Sequence, residues 1–142
     1  MSLLTDLRAH LVADSGVSAI TNRIRMYRSE QADASPRIVL HKISGDHKQH
    51  MTAATGKAIA RIQIDCHGSS PVNSEVLAEA IRRSLDGFRG SMNSGTYISM
   101  CHLEDERTQY IPPLEGEHAD GGVDSVQLDY LLGWSLSVPT FA

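Results

Sequence analysis

The sequence predicts an α+β fold: a largely antiparallel sheet with two main helices packed on one face and a long protruding β-hairpin. Three observations carry this. Between Lys57 and Gly68, Ala58, Ala60, Ile62, Ile64 and Cys66 alternate with Arg61, Gln63, Asp65 and His67, and Ile59 is the one apolar exception. Successive side chains of a strand point to opposite faces, so this strand has a core side and a wet side. Directly after it, Val72, Val76, Leu77, Ala80, Ile81, Leu85 and Phe88 recur at three- and four-residue spacings, the stripe of an amphipathic helix. Near the C-terminus, Val126, Leu128, Tyr130, Leu132, Trp134, Leu136 and Val138 share one parity and Leu131 breaks the other. A one-faced strand and a one-faced helix adjacent in the chain bury each other, which makes residues 57–90 the expected nucleus of the domain.

In order along the chain, Leu3, Leu4, Leu7, Leu11 and Val12 share a helical face, with Asp6, Arg8 and His10 placed on the rest. Asp14, Ser15 and Gly16 are expected to end this helix, and VSAITN to form a short helical turn. A short strand over residues 23–28 follows, then a polar loop over 29–36. Residues 37–44, RIVLHKIS, are rich in β-branched residues and read as a strand. Residues 45–56, GDHKQHMTAATG, hold no core pattern and are expected as the long tip of a hairpin joining this strand to the central one. Ser70 is placed to cap the central helix, Pro71 to occupy its first position and Gly87 to end it. TYISMCHLE, 96–104, reads as a strand and DERTQYIPP as a turn leading to another at 107–111. Residues 114–122 read as a solvated acidic loop. The last strand, 126–138, would be about 40 Å long at ~3.3 Å per residue, long enough for one end to project or bend.

The 142 residues suit one domain spanning 1–142. With 13 Lys and Arg against 17 Asp and Glu the formal charge is −4. That excludes the basic stripe of a general nucleic-acid binder. No apolar run is long enough to span a membrane as a helix. The amphipathic N-terminus lacks signal-peptide character, so the chain is expected to be made and kept in a cytoplasm. Cys66 and Cys101 are expected as free buried thiols.

The ionisable clusters offer little chemistry. His47 and His50, beside Asp46, would share a metal only on a helix, and a structural zinc site needs four ligands. Solvated histidines are the expectation there. His102, Glu104, Asp105 and Glu106 form the densest group, and paired carboxylates can divide acid and base roles where burial separates their pKa values. Consecutive acids after a strand are nevertheless expected to form a wet turn. Ser69 and Ser70 lack the glycine-flanked elbow of a nucleophile, and phosphate-cradling glycine motifs are missing from the sequence. Arg23, Arg25 and Arg28 make a basic edge, which either meets an acidic neighbour or simply blocks unwanted strand pairing. No catalytic residue, cofactor or metal is therefore assigned. The alternative is a small α+β metal-binding or hydrolytic domain using His102 with Glu104 and Glu106, or His47 with His50. A third reading is a module that captures a peptide by strand addition.

The order LRAHLVADSGVSAI, NRIRMY, a lone proline before RIVLHKISGD, TGKAIARIQIDCHG, SEVLAEAIRRSLDGF and LEDERTQY resembles the small bacteriophage tail-completion proteins. These are also called tail terminators or head–tail joining proteins, and related copies occur in prophages and gene transfer agents. The resemblance covers Leu3 to Tyr110, and the final strand fits it. It implies a non-enzymatic virion protein that assembles in the host cytoplasm as a ring, usually of six copies. The ring would sit at the head–tail junction, between the tail tube protein and the neck or stopper protein, with DNA passing through its lumen without specific binding. On this basis Asp46, His47, Lys48, Gln49, His50 and Met51, with Arg23 and Arg25, are expected at the interface with neighbouring subunits or the tube. Glu104, Asp105, Glu106, Glu115 and Glu117 are expected to line or rim the channel, where like charge reduces sticking of a polyanion. The final strand, with a small, polar outer parity, is expected to contribute to the subunit interface.

Overall fold

A computed structural model describes residues 3–27, 36–49, 54–68, 70–92, 97–111 and 123–135; at 46–49, 54–56, 111 and 123 the description is of backbone alone. The elements are α1 (Leu3–Ala13), α2 (Ser15–Ser18), β1 (Ile24–Met26), β2 (Arg37–Gln49), β3 (Ala54–Gly68), α3 (Pro71–Leu85), β4 (Gly90–Ser91), β5 (Tyr97–Ile111) and β6 (Val123–Ser135). They form the expected α+β arrangement. One sheet runs in the order β1-β2-β3-β6-β5-β4, antiparallel throughout except for the short β1–β2 pair.

The predicted nucleus forms as read. Ala58, Ala60, Ile62, Ile64 and Cys66 are all buried and share a core with Leu77, Ala78, Ile81 and Leu85 of α3 and with Leu3, Leu4, Leu7 and Leu11 of α1. Ser70 caps α3 by accepting from Asn73 N–H at 3.2 Å, and Pro71 takes the first turn. At the far end Gly87 adopts φ +72 and donates its N–H to Cys101 O at 3.2 Å, the left-handed exit that glycine accepts without strain. A methyl group at Gly68 would lie 2.5 Å from Ser74 N, so the end of β3 runs hard beneath the first turn of α3. The helix phase follows from this approach. Small Ser74 and Ala78 face the sheet, while Val72 and Val76, expected on the buried stripe, are 67% and 51% exposed.

The structure corrects four further expectations. Asp14 does not only stop α1; it accepts from Gly16 and Val17 N–H and so caps α2, which starts at once. Asp6 lies in the buried face of α1 rather than on its wet side. The supposed turn at residues 105–107 lies within one continuous strand, β5, whose pairing to β6 has register shifts between Ile98 and Met100 and between Leu103 and Asp105. The residues read as a loop from 45 to 56 continue β2 to Gln49 and start β3 at Ala54, paired as Asp46↔Ile59, His47↔Ala58 and Gln49↔Ala54; His50 and Met51 lie outside the described residues. This arm gives no core alternation in sequence; its strand conformation comes from backbone pairing across the hairpin.

The last strand runs over 123–135, and Leu136 and Val138 lie outside the described residues. Over the described residues it does not project: β6 is paired to β3 from Asp124 to Ser135 and to β5 from Val123 to Ser135. As an interior strand it has both edges paired, so any contribution it makes to a subunit interface comes from its small, polar outer face. Tyr130, buried in the core, donates its hydroxyl to Asp86 at 2.7 Å, tying β6 to the end of α3. Cys66 and Cys101 are free and buried. Burial pushes both thiols up, that of Cys101 to about 12.

Truncating the contact between β3 and α3 should be costly and truncating the outer helix face should not. Leu77→Ala is expected to lower unfolding free energy by about 2–5 kcal/mol in urea titrations. Val76→Ala should change it by no more than ~0.5 kcal/mol.

Candidate assembly surfaces

Three surfaces stand out once the sheet order is known: two strand edges and one uncovered face. β1 pairs with β2 only over Ile38–Leu40. It stops there because Tyr27 turns to φ +69, a conformation costly for a bulky side chain, and sets its ring edge-on to His41 at 6.0 Å. Beyond this point, among the described residues, no strand pairs with the outer edge of β2 over His41–Gln49. At the other side, β4 pairs with β5 only at Tyr97 and Ile98. Among the described residues no strand covers the outer edge of β5 over His102–Gln109.

The two edges differ in charge. Arg23, Arg25, Arg37, Lys42 and Lys48 belong to β1, β2 and the residue before them, against the single acid Asp46. β5 carries Glu104, Asp105 and Glu106 against Arg107. Beside β5 an open groove of about 640 Å³ runs along α3; Glu75, Glu79, Asp86 and Glu106 outnumber Arg82 and Arg83 in its walls. Arg83 pairs with Glu79 at 2.8 Å, and Arg82 reaches Asp86 at 3.4 Å and Glu106 at 3.8 Å. These exposed pairs contribute little stability.

The third surface is the sheet face opposite the helices. Asp65 and Asp129 are 8% exposed and His67 9%, although no described helix lies over them. Their neighbours' long side chains enclose them. His41 meets Asp65 at 3.2 Å, Gln63 donates to Asp65 at 2.9 Å, and Arg107 donates to Asp129 at 2.9 Å and also meets Asp105. The hydrogen bonds to Asp129 and Asp105 raise the Arg107 pKa further. Arg61 pairs with Glu104 at 2.9 Å. The face thus carries interleaved charges of both signs.

The register shift in β5 decides what the acidic cluster can do. His102 lies opposite Leu131 and Asp105 opposite Asp129, on the helix-free face, whereas Glu106 lies opposite the buried Leu128 and enters the groove beside α3. His102 and Glu106 therefore face opposite sides of the sheet and do not converge. Asp105 and Glu106 likewise cannot line one wall together. Among the described residues no three His, Cys, Asp or Glu side chains are grouped to hold a metal ion. His47 is a backbone position in β2 and His50 lies outside the described residues, as do Glu115 and Glu117. Arg23 and Arg25 flank and occupy β1; Arg23 donates to Pro36 O at 3.4 Å. Exposed strand edges are expected from the sequence, but the groove and the identity of β2 and β5 as the strands with uncovered edges are not legible there, because they depend on which strands end up outermost.

His67 supplies a pH signature of this face. Burial, then the nearby Arg37 guanidinium, lowers its pKa from the ordinary 6.5. The unfolded chain therefore binds the proton more readily than the folded one. Its stability contribution is intact above the unfolded pKa and is lost as pH falls below it. Melting temperature should fall between about pH 7 and about pH 5, and His67→Asn should flatten that slope.

No protein-family model matches this sequence, and no curated protein matches it. Solved structures do match in fold. One is a chain of the virion of a native gene transfer agent particle, 12% identical, with a TM-score of 0.65 over 94% of this chain and 95% of that one. At this identity the likeness establishes a shared fold, extending over nearly the whole length of both chains.

Proposed function

We propose that this chain is a structural virion protein of a tailed phage or phage-like particle, a tail terminator that forms a ring at the head–tail junction. The observation that carries the reading is the end-to-end fold likeness to a chain of a gene transfer agent virion, which agrees with the order of sequence segments from Leu3 to Tyr110. The ring, of six copies by the resemblance, would end the tail tube and present a surface to the neck protein. Its role is mechanical, and no residue is assigned to catalysis.

The helix-free face suits the wall of a DNA channel. Arg25, Arg37, Arg61 and Arg107 alternate there with Asp65, Glu104, Asp105 and Asp129. A wall of interleaved signs neither traps a polyanion nor excludes it strongly. Within the acidic cluster, Glu104 and Asp105 suit this wall, whereas Glu106 belongs to the groove. Glu115 and Glu117 remain proposed for the rim. The β2–β3 arm, with Asp46, His47, Lys48 and Gln49 on one strand and His50 and Met51 beyond it, is proposed to reach a neighbouring subunit or the tube, with Arg23 and Arg25 beside it.

Light scattering and negative-stain microscopy of the purified protein, alone and with tail tubes, test the reading. Rings, alone or on the tube ends, are expected; a monomer that ignores tubes overturns it. Deleting residues 47–54 should leave a folded monomer that no longer closes into rings, and normal rings from that deletion would remove the arm from the interface.

A further inference from the structure

The two uncovered edges fit one another. β2, β3, β6 and β5 alternate in direction, so β2 and β5, at opposite sides of the sheet, run antiparallel. A second copy placed beside the first without inversion would therefore run its β2 edge antiparallel to the first copy's β5 edge. Because residues 102–109 are level with residues 37–44 across the sheet, it must also slide along the strands by about four residues to bring 41–49 against 102–109. The available lengths agree: nine residues over His41–Gln49 and eight over His102–Gln109. The β2 edge has register shifts at Ile43 and at Lys48 and the β5 edge has one at Glu104, leaving Ser44–His47 and Asp105–Gln109 uninterrupted. The charges agree too. The incoming strand brings Lys42 and Lys48 with one acid, and the receiving edge lies beside the acidic groove of α3 and Glu106. Lys42 is on the helix side of β2, with its ammonium 5.3 Å from the Trp134 ring centre, the same side of the sheet as Glu106.

We infer that copies of this chain join by adding the β2 edge of one, residues 41–49, to the β5 edge of the next, residues 102–109, with the basic strand seated against the acidic groove. The inference rests on the ring reading above and names the contact that would build the ring. Strand addition supplies backbone hydrogen bonds, and the charge pattern supplies direction. A two-fold pairing of β5 with itself is also antiparallel, but it sets Glu104, Asp105 and Glu106 against their own copies, which like charge disfavours. The union is heterologous: each copy uses one edge to give and the other to receive. Such contacts propagate and either close into rings or continue as filaments.

A charge-swap pair tests it. Glu106→Lys makes the receiving groove less acidic, and Lys42→Glu gives the incoming strand an acid. Each variant alone should need at least about tenfold more protein to assemble on light scattering. A one-to-one mixture should recover native assembly, because each variant's altered edge meets the other's complementary one. Melting curves check that both variants fold. Hydrogen exchange on native protein gives a second readout: the outward-facing amides within 41–49 and 102–109, those not bonded to β3 or β6, should exchange fast at monomeric dilution and slowly in the assembled state. Rings in which both segments still exchange fast, or single variants that assemble like native protein, overturn the edge pairing and leave the ring reading standing. A native chain that stays monomeric with tail tubes overturns both.

Discussion

The close seating of α3 on the end of β3 is the contact on which the other features depend. Gly68 allows the helix to start directly over the strand, and Ser74 and Ala78 keep the separation small. That fixes which face of the sheet is apolar. Leu77, Ile81 and Leu85 then meet Ile62, Ile64 and Leu128, each large side chain worth about 1.5–3 kcal/mol when removed from water. With α1 closing the same side, every long polar side chain of β3 is directed to the other face. The placement of α3 over β3 and β6 also leaves the helix-side surface of β5 uncovered near Glu106, which is how the groove arises. One helix position thus determines the core, the charged face and the groove together.

Much of this was legible in the chain. Ala58 to Cys66 displays its two-residue period openly, and the cap, proline and glycine around α3 act where local chemistry requires them. The failures have physical causes. LEDER looks like a turn because three acids in succession rarely suit a strand; here Arg61 and Arg82 supply counter-charges from neighbouring elements, which no local pattern announces, and Arg107 adds one from within the strand. GDHKQ looks like a loop because it extends beyond the reach of the helices, so neither of its faces needs to be apolar. Its strand conformation is set by backbone pairing to β3, a non-local cause. Val72 and Val76 mislead because helix phase is decided by the small residues at the sheet contact. The candidate surfaces were less legible still. The contrast between a basic first edge and an acidic last edge exists only after the strand order has been established, since β6, last in sequence, lies inside.

The helix-free face shows how a sheet can be finished without a second layer. Asp65 and Asp129 are nearly closed off from water, because His41, Gln63 and Arg107 reach over them. Such pairs are costly to break one partner at a time and add little net stability as a whole. Their effect is to hold the surface polar and flat in a region where apolar side chains would invite indiscriminate sticking. Among the described residues, the same balance leaves the outer edges of β2 and β5 as the parts of the sheet with open backbone bonding capacity.

The two long hairpins point in contrary directions: β2 and β3 meet beyond Gln49 and Ala54, β5 and β6 beyond Ile111 and Val123, at opposite ends of the sheet. Contacts made above and below the molecule would then be encoded in separate stretches of the gene. Mutation could alter fit at one pole while the shared strands and their mutual register stay as they were, so lineages could exchange one docking partner without renegotiating the other.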